Sequence, residues 1–74
     1  MTETEIVAML EKRQHATYLR TETMSGIVKV YLARGEYGFF LKSQKKERMY
    51  TTLPGILKAM RKIAPDSDWT QREW

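Results

Sequence analysis

Two apolar runs joined by a short glycine-bearing connection, SGIVKVYLARGEYGFFLKS from Ser25 to Ser43, constrain this chain more than any other stretch. Ile27 to Ala33 alternates with period two: Val28, Val30 and Leu32 fall on one face, Lys29 and Tyr31 on the other. Arg34 to Gly38 supplies a turn, and Phe39 to Ser43 returns with Phe39 and Leu41 opposite Phe40 and Lys42. The pattern predicts a central antiparallel hairpin around which the rest of the chain must pack.

Upstream, Thr2 with Glu5 three residues on has the spacing of a capping box, and Thr4 is an equally placed N-cap. Ile6, Met9, Leu10 and Arg13, with Val7 beside them, form one stripe, so a helix is expected over about 3 to 14. His15, the only histidine, follows it and reads as a solvated or carbonyl-capping residue. ATYLRTETM, about 16 to 24, reads as a strand at a sheet edge, and Ser25-Gly26 as a two-residue connection. Downstream, QKKE is the tip of a second turn before a short strand over about 48 to 52. Thr51 or Thr52 can cap a helix over about 53 to 64, whose Leu53, Ile56, Leu57, Met60 and Ile63 recur at helical spacing and which Pro65 ends. Asp66 or Ser67 could cap one further turn in the tail 65 to 74, with Trp69 a lid on the core and Trp74 at a frayed end. The expected class is therefore α+β in a single domain over 1 to 74: an N-terminal helix, a three- to four-stranded antiparallel sheet with the hairpin strands at about 27 to 33 and 38 to 43, and a C-terminal helix on one sheet face.

Composition narrows the function classes. At 74 residues without cysteine, stability must come from packing or self-association rather than disulfides. No run approaches the roughly 20 apolar residues of a membrane span, and the acidic N-terminus lacks the character of a secretion signal, so a cytoplasmic protein without a membrane partner is expected. One histidine and scattered acids define no metal site, no catalytic arrangement and no cofactor loop, and a non-enzyme is expected. Net charge is +4, unevenly spread: Lys42 to Lys62 holds seven bases against Glu47 alone, while residues 1 to 24 hold three bases and four acids. A basic second half suits a polyanion.

If the helices cover one face of the sheet, residue parity collects Lys29, Tyr31, Phe40, Lys42, Arg48 and Tyr50 on the other, where rings can stack on splayed bases and cations can neutralise phosphates. The opening stretch also resembles the first hairpin of cold-shock domains, through Gly26, Val28, Lys29, Tyr31, Tyr37, Gly38 and Phe39. That resemblance covers about 16 to 20 residues and implies contacts with single-stranded nucleic acid at Lys29, Tyr31, Tyr37 and Phe39. It does not extend to the rest of the chain, where a helix follows Thr52 in place of further strands. Element order is similar to that of double-stranded-RNA-binding domains and of small toxin ribonucleases. With Lys45 and Lys46 added from the turn, the expected function is binding of single-stranded RNA or DNA with little sequence preference. The alternative is a protein-interaction module of phage or mobile-element type that docks on a host protein or homodimerises, with Trp69 and Trp74 as contacts. A metal-free ribonuclease toxin stands third.

Overall fold

The computed structural model describes residues 1–12, 16–65 and 68–74. Arg13, His15 and the proposed caps Asp66 and Ser67 lie outside the described residues, and so does the expected helix end near 14. The elements are α1 (Glu3–Glu11), β1 (Thr17–Thr23), β2 (Gly26–Ala33), β3 (Glu36–Leu41), a 3-10 turn (Lys42–Gln44), β4 (Lys46–Tyr50), α2 (Leu53–Ile63) and β5 (Thr70–Glu73). The strands form one antiparallel sheet in the order β4-β3-β2-β1-β5.

Local chemistry sets the boundaries. At α1 the capping box is complete: the Glu5 amide donates to the Thr2 hydroxyl at 3.2 Å and the Thr2 amide donates to the Glu5 carboxylate at 3.1 Å. The Thr2 bonds hold the Glu5 carboxyl below the usual carboxylate range. At α2 the Gly55 amide donates to the Thr52 hydroxyl at 3.3 Å, and Pro54 occupies the first turn where its missing N–H costs nothing. The central hairpin turns on two residues, Arg34 (φ 54°) and Gly35 (φ 79°), rather than on the five expected. Positive φ at both positions is what a tight turn matched to the twist of the strands requires.

Every strand residue in the core comes from the same side of the sheet. Leu19, Val28, Val30, Leu32 and Tyr37 meet Ile6, Met9 and Leu10 of α1 and Ile56 and Met60 of α2, with Ala64 and Trp69 completing the cluster. Both helices therefore cover one face, and a Glu3–Arg61 ion pair joins them. Burying each large side chain contributes about 1.5–3 kcal/mol. Among the described residues no helix is long and apolar enough to cross a membrane.

Three expectations are corrected. The sheet has five strands, because residues 70–73 pair with β1 from Thr17↔Glu73 to Arg20↔Thr70 instead of forming another helical turn. β1 is consequently an interior strand, flanked by β2 and β5, and not an edge. Trp69 is fully buried, so it is a core residue and no surface contact for a protein partner.

Candidate nucleic-acid interface

The strand register distributes eight of the ten expected contact residues over two faces, with Lys46 on the helix face, and leaves Lys42 and Lys45 between strands. Lys29 pairs with Phe40 and Tyr31 with Gly38, so Lys29, Tyr31 and Phe40 do share the open face. Tyr37, Phe39, Arg48 and Tyr50 lie on the helix face. The physical reason is the four-residue connection Lys42–Lys45, which sets Leu41 opposite Lys46 and Phe39 opposite Arg48. An even-length connection puts even-numbered residues of β4 beside odd-numbered residues of β3, moving Arg48 and Tyr50 to the face opposite the one expected. Lys42 and Lys45 sit in the connection itself, with Lys45 at φ 50° ending the 3-10 turn. Lys29, Tyr31, Tyr37 and Phe39, which the hairpin resemblance groups as one contact, are thus divided by the sheet. Tyr37 is buried in the core.

On the helix face, α2 lies against β3 and β4 and leaves a groove of about 380 Å³. Phe39 and Tyr50 form its aromatic wall, while Gly55 and Ala59 keep the facing side of the helix low. Arg48 from β4 and Lys58 and Lys62 from α2 supply its charge. Lys58 and Lys62 are one helical turn apart and so project from the same side of α2. Both are exposed, and Lys62 stands in the last turn of the helix, where its dipole favours cations. The hollow runs on past Phe39 and Arg48 to Leu41 and Lys46, where Glu47 is the one acidic lining residue. The Glu47 carboxylate accepts a hydrogen bond from the Tyr31 hydroxyl, on the opposite face. Lys58 and Lys62 were legible as exposed cations of an amphipathic helix, but no sequence signal joined them to Phe39 and Tyr50.

The open face is built differently. Trp74 follows β5, its amide donating to the Ala16 carbonyl at 3.2 Å, and its ring lies 4.4 Å from that of Tyr18 and 5.9 Å, edge on, from that of Tyr31. This is a docked ring rather than a frayed end. The Lys29 ammonium stands 5.2 Å over Tyr18 and 5.7 Å over Trp74. Tyr31 lies across Gly38, where an added Cβ would fall 2.4 Å from the ring. Strand charges on this face are Arg20, Lys29 and Arg72 against Glu22, Glu36 and Glu47, and Arg20 is already paired with Glu22 at 2.6 Å. The aromatic residues are therefore spread over both faces, whereas the α2–β4 groove gathers Arg48, Lys58 and Lys62 with no acid in its wall. No group of three or more potential metal ligands occurs among the described residues. Comparison with known proteins adds no assignment to this geometry: no family model, curated protein sequence or solved structure matches the chain.

Proposed function

We propose that this chain is a non-enzymatic module that binds single-stranded nucleic acid along the α2–β4 groove. The observation that carries the reading is the meeting of Phe39 and Tyr50 with Arg48, Lys58 and Lys62 in one hollow that has no acid in its wall. A base stacked on an exposed ring gains about 1–3 kcal/mol whatever its identity, which suits sequence-tolerant binding. Cations one helical turn apart offer successive phosphates a charged rail, and Lys46 extends it along β4.

The test is fluorescence anisotropy of labelled single-stranded oligonucleotides over a salt series. Three phosphate contacts predict a slope of about −2 in log K against log salt, at about −0.7 per contact. Lys58→Gln with Lys62→Gln lowers the slope magnitude by about 1.4 and weakens binding, while Lys12→Gln, remote from the groove, leaves both unchanged. Affinity weaker than about 100 µM at low salt, or binding indifferent to salt, refutes the reading. So does a Lys12 variant as impaired as the groove variant.

A further inference from the structure

We infer that the open face of the sheet is a self-association surface, covered by a second copy of this chain. The face carries a run of half-buried apolar side chains among its charges. Tyr18, Ile27, Tyr31, Phe40 and Met49 lie on it in register, and Trp74 docks at its β5 side with 64% of its surface exposed. Contiguous apolar patches of this kind mark interaction sites. Two helices occupy the other face, so no remaining element of the described chain covers this one.

Charge indicates what does. Outside the central strand, the base of this face that is in no ion pair among the described residues, Arg72, stands on β5, while Glu47 and Glu36 stand on β4 and β3 at the other side. A half-turn about an axis parallel to the strands lays β5 and β1 of one copy over β4 and β3 of the other. The cationic side then meets the acidic side twice, as an isologous interface requires. Lys29 lies on the central strand, close to such an axis, but its ammonium is drawn aside over Tyr18 and Trp74, which separates it from its counterpart. A polyanion meets no such match, because three acids oppose three bases across the face. Pairing of β4 edges is opposed by Lys46, Glu47 and Arg48, all exposed along that edge.

Area sets the strength. Five strands about 4.8 Å apart and roughly 20 Å long present about 400 Å² per copy, so a face-to-face dimer buries on the order of 800–1,000 Å² in total, near the lower limit for a specific interface. The dimer is accordingly a concentration-dependent one, and it leaves both α2–β4 grooves on its outer surfaces.

The experiment is sedimentation equilibrium of the full chain over about 1 to 500 µM, a range that brackets micromolar association. The wild type passes from monomer to dimer mass across this range. Phe40→Glu raises the dimer Kd at least about tenfold, the effect of placing an unpaired charge in the contact. Arg72→Glu raises it about three- to tenfold, and adding Glu47→Arg to it brings the Kd back to within about threefold, because the exchanged charges still face each other across the axis. Circular dichroism of each variant verifies folding, and the charge exchange decides the matter if Phe40→Glu does not fold. A monomer at every concentration overturns the inference. So does a dimer indifferent to these substitutions, or one that the charge exchange fails to rescue. The groove reading is separable: Lys58→Gln with Lys62→Gln leaves the mass curve unchanged whether or not that variant has lost oligonucleotide binding.

Discussion

Trp69 and Trp74 stand five residues apart, and the structure gives them opposite roles, so replacing each with alanine tests the fold at its least obvious point. Trp69 is the largest fully buried side chain, at 0% exposure, whereas Trp74 is 64% exposed. Truncating a buried Trp costs about 3–5 kcal/mol through lost contacts and a cavity. Against this, the Trp69 indole nitrogen is buried with no hydrogen-bond partner among the described residues, a defect costing about 1–3 kcal/mol that truncation removes. Taking the middle of each range, about 4 less about 2, the net expectation for Trp69→Ala is a loss of about 2 kcal/mol. A domain of this length holds only about 4–11 kcal/mol in total, so the variant loses a large share of its stability. Trp74→Ala forfeits mainly its contact with Tyr18, about 0.5–1.5 kcal/mol. Urea unfolding followed by circular dichroism reads the difference: with a slope of about 1 kcal/mol/M, the midpoint falls by about 2 M for Trp69→Ala and by about 1 M for Trp74→Ala. Measurement at low micromolar concentration keeps dimer formation out of the comparison. If Trp69→Ala does not fold at all, Trp69→Phe, which removes the orphaned N–H but keeps a ring in place, should cost about 1 kcal/mol. Equal effects at the two positions, or a larger one at Trp74, refute the burial of Trp69.

Two further outcomes follow from local geometry. Gly38→Ala places a methyl against the Tyr31 ring, which must swing away and lose its bond to Glu47, so stability drops by about 1–2 kcal/mol. The same change in a Tyr31→Ala background is close to neutral, and an equal cost in both backgrounds would place the clash elsewhere. The depressed Glu5 carboxyl makes the α1 cap pH-sensitive. A group whose folded pKa is lowered stabilises above its unfolded pKa, and that contribution fades as pH falls through the folded value. The thermal midpoint of the wild type should therefore drop more than that of Glu5→Gln on acidification from about pH 6 to about pH 3, and parallel curves would contradict the assignment.

The parts of the fold that were legible in the sequence are those in which periodicity and burial agree. Val28, Val30 and Leu32 announce their face because each is apolar and each neighbour between them is not uniformly so, and the structure buries all three. The Thr2 and Thr52 caps were readable because hydroxyl caps act within four residues of chain. β5 was not readable: TQRE has no alternating apolar residue, all four side chains are exposed, and backbone pairing to β1, joined by the Thr70 hydroxyl donating to the Arg20 carbonyl at 3.3 Å, holds it in the sheet. The faces of β4 were hidden for a different reason. KERMY is exposed along nearly its whole length, so no buried residue marked its register, and the parity of its contacts depended on the length of the connection before it. One misjudged strand moved Arg48 and Tyr50 across the sheet. With Tyr37 and Phe39 already on the helix face, that change turned a supposed single binding surface into two different ones.

The division between those surfaces follows from the order of the elements. Only Thr51 and Thr52 separate β4 from α2, so the helix folds back over the strands it has just left and its exposed Lys58 and Lys62 come to rest beside Arg48. Charges close in sequence are thereby gathered in space, and Arg48, Lys58 and Lys62 of the basic second half come to line one groove. The open face is assembled from all five strands, whose residues span both halves of the chain, and its bases and acids consequently balance. A groove with uncompensated positive charge favours a polyanion; an apolar face whose two signs lie on opposite sides favours a surface bearing the reverse arrangement, and a second copy of the chain carries that arrangement by symmetry. Charge changes confined to one face should therefore leave the other property intact, since neutralising Lys58 and Lys62 leaves the open face untouched, and exchanging Arg72 with Glu47 preserves the net charge of the chain.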